Sequence, residues 1–255
     1  MLFYPSNSRL SLDTVTLDNN FVSKDDIIDS SESCKIHYIL LEEKQRRGPL
    51  FFFAHGNGGD ISSRVLHSPT IKYLMKHGSV LLFDYRGYGN STGTPTEQGL
   101  RDDTLAMWNY TINTLNWNPN NVVLFGESLG CSLVSYLGSH LILANKEMPR
   151  GIIMMSGFYS LKKTVSTMFG YLISLLLVYE FDNNKYLGLI KEKNPDYPVL
   201  ILHSKKDDLL SFDHAVTLAQ ENNCRIHEIG GVHCDPIFTD KTIQLIYTMF
   251  TLSTN

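Results

Sequence analysis

The fold of this 255-residue chain is decided by the segment Val122-Val123-Leu124-Phe125-Gly126-Glu127-Ser128-Leu129-Gly130. The four apolar residues predict a buried strand. The next five match G-x-S-x-G, the sharp strand-to-helix turn known as a nucleophile elbow, which exposes one strained serine. Glycines stand two residues either side of Ser128, where a Cβ would crowd the turn. The following helix would direct its N–H groups and positive dipole end at the serine. Five residues are weak evidence alone, so the rest of the chain has to supply the context.

Buried strands alternate with helices on both sides of this segment. The continuous apolar runs are typical of parallel strands that are covered on both faces; they are Leu50–Ala54, Val80–Phe83, Gly151–Ser156 and Pro198–His203. Arg225–Ile229 is predicted as a last strand. Helices are predicted over 62–76 (broken near Pro69), 95–115, 129–145, 213–222 and 240–252. This alternation predicts an α/β fold, with a mostly parallel central sheet and helices on both faces. Such sheets bind ligands at the carboxyl ends of their strands.

Two stretches depart from this alternation. Residues 1–33 are polar and predicted to be irregular, apart from a short alternating run at 13–17, and Cys34–Leu41 follows as an outer strand. Residues 157–194 contain an apolar helix and a tail rich in Asn and Lys, which predicts a lid or insertion rather than a core layer. We therefore expect one domain over 1–255, with 157–194 as a small helical lid.

Composition excludes several classes of protein. Hydrophobic residues make up 43% and charged residues 19% of the chain, as in ordinary globular proteins, and the net charge is −4. Without a basic stripe, nucleic acid is not an expected partner. The four scattered cysteines predict reduced thiols in a reducing compartment. The Cys and His residues between 224 and 234 match no familiar zinc pattern, so we expect neither a metal nor a cofactor.

Nothing in the sequence predicts a secretory or membrane-spanning segment. Met1–Pro5 lacks the basic start and long apolar run of a signal peptide. The uncharged, strongly apolar stretch Thr164–Tyr179 has sixteen residues, whereas a spanning helix needs about 20. A buried or lid helix is the favoured interpretation, and a membrane-dipping helix is the alternative. We expect a cytoplasmic protein with peripheral membrane contact through the lid and no obligate partner.

A serine nucleophile needs a base, a group that orients the base, and donors for the oxyanion. In the arrangement built on this elbow, the chain order is serine, acid, histidine. Ser128 is followed by the acidic pair Asp207-Asp208 and then by His233, each on a loop after a predicted strand. His227 lies inside a predicted strand, and His214 comes too early. Asp207 is favoured as the acid because it follows the strand end by four residues, and Asp208 stays open.

The oxyanion donors are expected to be two backbone amides. One is that of Leu129, directly after the nucleophile. The second should come from the glycine-rich loop His55-Gly56-Asn57-Gly58-Gly59, where Asn57 is the preferred donor. The His55 side chain is expected to brace this loop rather than act as a base. Asp84 and Arg86 are expected to hold a neighbouring loop through charge-assisted hydrogen bonds.

The motifs HGNGGD, DYRGYGNSTG, GESLG and KKDD, with the histidine segment after them, resemble the α/β-hydrolase superfamily. Within it, the chain is similar to the group that includes the ABHD13, ABHD17 and Bem46 serine hydrolases. The resemblance implies a triad of Ser128, Asp207 and His233, with oxyanion amides at Asn57 and Leu129. It also implies esterase or protein-depalmitoylating thioesterase chemistry. The Cys-Asp-Pro-Ile sequence after the histidine departs from the more common His-Asn-Asp form. Many members carry an upstream membrane helix or palmitoylated cysteines, and we do not expect this chain to inherit a membrane location from the resemblance.

The sequence therefore predicts a serine hydrolase of the carboxylesterase or thioesterase type. It would cleave esters or thioesters through an acyl-enzyme on Ser128. The apolar stretch within 157–181 suggests substrates with an acyl chain, such as a lipid or an acylated protein. Two alternatives stay open. One is a non-catalytic binding protein that keeps the fold, and the other is a peptidase or acyltransferase of the same fold. A short H-x4-D match from His203 to Asp208 favours the acyltransferase only weakly.

Overall fold

The computed structural model describes residues 3–6 and 18–250, and within these ranges nine strands form one sheet. A two-stranded sheet stands apart from it and pairs β1 with β5. In chain order the strands are β1 (Tyr4–Pro5), β2 (Phe21–Asp29), β3 (Lys35–Glu43), β4 (Leu50–Ala54), β5 (Gly58–Gly59), β6 (Ser79–Phe83), β7 (Val122–Glu127), β8 (Gly151–Met155), β9 (Val199–Ser204), β10 (Arg225–Val232) and β11 (Asp235–Ile237).

The large sheet has the order β11-β10-β9-β8-β7-β4-β6-β3-β2. The six strands from β10 to β6 run parallel, and β3, β2 and β11 run antiparallel to their neighbours. The carboxyl ends of the six parallel strands therefore meet at one edge. This confirms the predicted α/β fold with a mostly parallel central sheet.

Helices cover both faces of the sheet and give the protein two apolar cores. In chain order they are α1 (Ile61–His67), α2 (Pro69–Leu74), α3 (Glu97–Asn113), α4 (Leu129–Leu143), α5 (Leu161–Phe169), α6 (Tyr171–Ser174), α7 (Asn183–Lys193), α8 (Phe212–Glu221) and α9 (Asp240–Phe250). Strand β4 shows the division, because Phe52 packs in the core under α3, α4, α7 and α8, while Phe51 and Phe53 pack in the core under α1, α2 and α9. Period-two alternation of apolar side chains on both faces explains why these strands read as continuous apolar runs.

The prediction that residues 1–33 are irregular is wrong for 21–29. Strand β2 pairs along its whole length with β3, from Phe21 opposite Glu43 to Asp29 opposite Lys35. Most of its side chains are exposed because it is the outermost strand of the sheet. Charged residues such as those at 24–26 protect an edge strand from pairing with other chains, and they also hide the strand signal. The alternating run predicted at 13–17 lies outside the described residues.

The segment predicted as a lid divides into two parts. Helices α5 and α6 lie at its start, and Leu161 and Thr164 are the buried residues of α5. Helix α7 instead packs against α4, with Leu187 and Ile190 fully buried in the core, so the prediction that all of 157–194 lies outside the core layers is wrong for this helix. Exposed charged residues on its outer face, among them Lys185, Glu192 and Lys193, masked its apolar face. Among the helices of the described ranges, none is both long enough and apolar enough to cross a bilayer.

The segment after β6 holds its loop through buried charges, as the sequence predicted. The guanidinium of Arg86 donates to the carboxylate of Asp103 on α3 at 2.8–3.2 Å, and both side chains are almost completely buried. The backbone N–H of Arg86 also donates to Asp103, at 2.8 Å. Asp84 accepts the N–H of Ile61 at 3.0 Å, at the start of α1. These contacts fix the 84–93 loop against α3 on one side and α1 on the other.

Replacing Asp103 by Ala should lower the free energy of unfolding by about 3–5 kcal/mol, because it removes the buried anion of Arg86 and leaves its guanidinium with only the exposed carboxylate of Glu32. Asp29→Ala is the matched control, since it removes an ion pair to Lys35 in which both side chains are mostly exposed, and such pairs contribute little. Urea-induced unfolding, followed by circular dichroism, measures the free energy of unfolding of both variants. Equal losses in the two variants would contradict the structural role of the Arg86–Asp103 pair.

Candidate active site

Ser128 lies at the carboxyl end of β7 and immediately before α4. Its backbone has φ 51° and ψ −112°, a conformation that costs free energy for any residue other than glycine. The N–H of Ser128 donates to the carbonyl of Met155 at the end of β8, at 2.9 Å. The strained turn is thus tied to the neighbouring strand, and the partly exposed serine points out of the sheet edge.

The two glycines of the elbow permit a very close approach between α4 and the sheet. A Cβ on Gly130 would lie 1.9 Å from the carbonyl oxygen of Ala54 at the end of β4. A Cβ on Gly126 would lie 2.6 Å from the backbone of Cys131. Both distances are far below van der Waals contact. The crowding expected from the sequence is therefore present, and it involves backbone atoms that cannot move aside.

His233 reaches Ser128 from the turn between β10 and β11. Its Nε2 lies 3.1 Å from the Ser128 Oγ. The two strands pair antiparallel, with Val232 opposite Asp235, so His233 and Cys234 form the two-residue connection. Gly231, two residues before His233, has φ +83°, in the left-handed region that favours glycine. The His233 side chain is about nine-tenths buried, and only one edge of the imidazole faces the nucleophile.

Asp207 holds the other nitrogen of that ring. Its Oδ2 lies 2.8 Å from His233 Nδ1 and 3.3 Å from Nε2 of His203. Its Oδ1 accepts the N–H groups of Leu209 and Leu210 at 3.0 and 2.8 Å. Burial acts to raise the pKa of Asp207, but hydrogen bonds from His203, His233 and Leu210 outweigh it and hold the pKa well below its usual range. The carboxylate is therefore charged at neutral pH.

Asp208, the alternative acid, has a different contact. Its Oδ1 accepts the backbone N–H of His233 at 3.2 Å, and its side chain is exposed. The two acids thus hold the same residue, one by its ring and the other by its main chain. The other two histidines considered lie elsewhere in the fold, since His214 Nδ1 accepts the N–H of Tyr159 and His227 Nε2 contacts Thr242.

The two residues predicted to donate to the oxyanion follow the neighbouring strands β7 and β4. Leu129 is the first residue of α4, where an amide has no partner within its own helix. Asn57 follows β4, the strand beside β7. The Tyr88 hydroxyl donates to the Asn57 side-chain oxygen at 2.9 Å and lies 3.1 Å from its carbonyl oxygen. The Tyr85 hydroxyl donates to the carbonyl of His55 at 2.7 Å. Two tyrosines of the DYRGYG motif therefore hold the carbonyls of this loop.

His55 is a brace, as the sequence predicted. It is fully buried, its Nδ1 donates to the carbonyl of Gly56 at 2.6 Å, and its ring stacks on that of Tyr85 at 4.3 Å. Burial lowers the pKa of His55 well below its usual value, and the nearby charge of Arg64 adds to the effect. An uncharged imidazole with one nitrogen engaged by the loop is suited to fixing the loop's shape.

An ion pair connects this loop to the elbow, and sequence reasoning missed it. Arg64 on α1 donates to the two carboxylate oxygens of Glu127 at 3.2 and 3.4 Å. It also donates to the carbonyl of Gly58 at 2.9 Å. Glu127 immediately precedes Ser128, so one guanidinium bridges the glycine-rich loop and the nucleophile turn. Both side chains are mostly buried, which strengthens the pair relative to one on the surface.

Sequence reasoning also missed the roles of Tyr85, Tyr88 and His203. A signal was present for the tyrosines, because two aromatic hydroxyls after a buried strand need hydrogen-bond partners when they are buried. His203 is the penultimate residue of β9 and could have been paired with Asp207 from their spacing of four residues. No pattern in the sequence pairs Arg64 with Glu127, because 63 residues separate them.

A groove of about 440 Å³ opens beside the serine, on the side of Glu127 and Cys234. Its walls come mainly from α1, the start of α2 and the β10–β11 turn; they include Ser63, Arg64, His67, Thr70, Glu127, Met155 and Asp235. Within the described residues, no cluster of three or more His, Cys, Asp or Glu side chains is arranged to hold a metal ion.

Comparison with known proteins gives a consistent family. The family described as alpha/beta hydrolase fold matches residues 49–169. An uncharacterized protein of Acanthamoeba polyphaga mimivirus is 35% identical over 216 residues, which cover 78% of this chain and 71% of the viral protein. The Bem46 protein of Schizosaccharomyces pombe is 27% identical over 177 residues, which cover 68% of this chain and 56% of the yeast protein. The chain therefore spans little more than half the length of the yeast relative.

Among solved structures, an esterase of Pyrococcus furiosus superposes with a TM-score of 0.70. The match covers 97% of this chain and 94% of the archaeal one, at 18% sequence identity. At that identity the likeness concerns the fold. Because the superposition covers almost the whole chain, the two proteins share the central sheet and the apolar cores on both of its faces.

Gly130→Ala should lower the free energy of unfolding by about 1–3 kcal/mol, because the new methyl group has to displace α4 from β4. The matched control is Gly188→Ala on α7, where the nearest atom to the new Cβ, the side-chain oxygen of Asn222, is at 3.6 Å. That change should be neutral or stabilise by up to about 1 kcal/mol through helix propensity. Chemical denaturation distinguishes the two, and a Gly130→Ala protein as stable as the Gly188→Ala protein would contradict the close approach.

Proposed function

Because the chain belongs to the α/β-hydrolase fold family, we propose that it is a serine hydrolase that cleaves carboxylic esters or thioesters. The observation that carries the proposal is one line of hydrogen bonds. It runs from Ser128 Oγ to His233 Nε2 at 3.1 Å, and from His233 Nδ1 to Asp207 Oδ2 at 2.8 Å. A nucleophile, a base within reach of it and an acid that orients the base are what acyl transfer to a serine requires.

In the first half-reaction, His233 Nε2 takes the proton of the Ser128 hydroxyl as Oγ attacks the acyl carbonyl carbon. The carbonyl oxygen becomes an oxyanion, which the amides of Asn57 and Leu129 stabilise together with the positive end of α4. The imidazolium then gives its proton to the leaving alcohol or thiol, and the acyl group stays on Oγ. Asp207 keeps the proton on Nδ1 and stabilises the charged ring.

In the second half-reaction, water replaces the leaving group. His233 Nε2 takes a proton from the water as its oxygen attacks the acyl carbon, and the same amides hold the oxyanion. Collapse of this intermediate breaks the bond to Oγ, returns the proton to Ser128 and releases a carboxylic acid. The nucleophile, the base and the oxyanion donors of both half-reactions are therefore side chains and backbone amides of this chain.

Two observations bear on the substrate. The Pyrococcus furiosus protein with the similar fold is named an esterase, and the activity of that protein agrees with the ester chemistry proposed here. The apolar segment after α5 favours substrates with an acyl chain, since burying each methylene contributes about 0.8 kcal/mol. The alternative of a non-catalytic binding protein is disfavoured by the 3.1 Å separation, because a fold kept only for binding has no need of a base at that distance.

A fluorophosphonate probe should label the purified protein and should fail to label Ser128→Ala, because the probe needs an activated serine. Ser132→Ala is the matched control, since Ser132 is buried on the same helix one turn further on and should not affect labelling. Mass spectrometry of the labelled peptide locates the adduct. Absence of labelling in folded wild-type protein, or equal labelling of Ser128→Ala, would refute the proposal.

Asp207→Asn should reduce the rate of p-nitrophenyl ester hydrolysis on the order of 10⁴-fold, because an amide favours the wrong tautomer of His233 and cannot stabilise the imidazolium. Asp208→Asn should change it by less than about tenfold, since an amide oxygen can still accept the His233 N–H. Steady-state kinetics on folded protein compares them. A larger loss in Asp208→Asn would reassign the acid.

A further inference from the structure

An exposed apolar segment extends from the end of α5 through α6. Eight apolar side chains between residues 168 and 178 are 50–87% exposed, namely Met168, Phe169, Tyr171, Leu172, Ile173, Leu175, Leu176 and Val178. Single exposed apolar residues are normal, but a contiguous group of this size marks an interaction site. We call residues 168–178 the apolar tip.

The apolar tip stands on a packed base. At one end, Leu161 and Thr164 of α5 are buried. At the other end, Leu177 and Tyr179 pack against the core of the protein, and Phe181 is 1% exposed. The ring of Tyr179 meets that of Phe3 edge to face at 5.5 Å. Because both ends are anchored, the exposure of the tip is a property of the folded chain and not of a loose end.

Charged groups lie at the base of the tip and are absent from the tip itself. Thr164–Tyr179 contains no charged residue, while Lys162, Lys163 and Lys185 are exposed at its base. Within the described residues these lysines form no ion pair, and the side chain of Asp182 beside them caps α7 by accepting the Lys185 N–H. Lys162 and Lys185 line one groove of about 310 Å³, together with Leu177, Tyr179 and the acidic residues Glu180 and Asp182.

We propose that the apolar tip docks on an anionic lipid surface. The tip's side chains would enter the boundary between acyl chains and headgroups, with the lysines of its base at the level of the lipid phosphates. Lysine is suited to this position because its methylene stem lies along apolar surface while its ammonium stays among polar groups. A two-fold dimer through the same tip is disfavoured, because it would bring the lysines at the base of one copy towards the same lysines of the other copy.

Docking through the tip would place the proposed active site near the lipid. The segment follows β8, whose carboxyl end lies beside Ser128. Its base contacts Phe3, and the next residue, Tyr4, pairs with Gly58 in the glycine-rich loop. The tip and the predicted oxyanion loop are therefore joined through residues 3–5. Docking goes beyond the proposed function, since it requires no hydrolysis.

Flotation with lipid vesicles tests the proposal. The protein carries Ser128→Ala, so that no lipid can be hydrolysed and a failure of docking is distinct from a failure of the proposed activity. It should float with equimolar phosphatidylcholine–phosphatidylglycerol vesicles. Adding Leu172→Ser and Leu176→Ser should weaken partitioning at least about tenfold, because two apolar side chains lose their burial in lipid. The matched control adds Ile27→Ser and Leu143→Ser, which lie outside the tip and are about half exposed.

The lysines provide a second measurement. Lys162→Glu with Lys163→Glu should weaken binding to the anionic vesicles strongly and to pure phosphatidylcholine vesicles little, and added salt should reduce that difference. Circular dichroism verifies that each variant is folded. Flotation of the tip variant equal to that of the control would overturn the proposal. So would a dimer in sedimentation that the tip substitutions abolish, with no flotation, because the partner would then be a second copy of the chain.

Discussion

The approach of α4 to β4 at Gly130 is the contact on which the geometry of the site depends. Only a residue without a Cβ can stand against the carbonyl oxygen of Ala54. Ala54 is the last residue before the glycine-rich loop, and Gly130 comes two residues after Ser128. One backbone contact therefore fixes the distance between the nucleophile turn and the start of the loop that carries the second expected oxyanion amide. Both donors are amides of the main chain, so this distance sets their relation to the serine more directly than any side chain does.

A glycine-rich loop has many conformations available, and the protein restricts this one with buried polar contacts. The hydroxyls of Tyr85 and Tyr88 engage two of its carbonyls, and Arg64 engages a third while holding Glu127. These three side chains come from two segments, the one after β6 and helix α1. The Tyr85 contact is buried and the Tyr88 contact is partly buried, where a hydrogen bond is strong and an unmade one is costly, whereas the contact of Arg64 with Gly58 is exposed. The loop is thereby prepared before any substrate arrives, which is the condition for efficient oxyanion stabilisation.

The sequence could predict those elements whose signal lies within one short segment of the chain. Apolar runs followed by turn residues located the parallel strands and the elbow, because burial on both faces leaves few other choices of residue. Strand β2 was missed because an edge strand is selected for charge as much as for pairing. Helix α7 was assigned to the lid because its apolar face is narrow. The choice between Asp207 and Asp208 could not be made from spacing with certainty, since both contact His233 and only their direction differs.

The segment that matches the alpha/beta hydrolase fold family and most of the apolar tip lie in different parts of the chain. The match to the alpha/beta hydrolase fold ends at residue 169, and six of the eight exposed apolar side chains lie beyond it. The frame that holds Ser128 depends on backbone contacts between strands and helices, which tolerate little change. The tip makes few contacts beyond its base, so its side chains can vary without disturbing that frame. Under the two proposals, reaction type and site of action therefore depend on separate parts of the chain. The elbow specifies how an acyl group would be transferred, and the tip specifies the surface at which this protein would meet it.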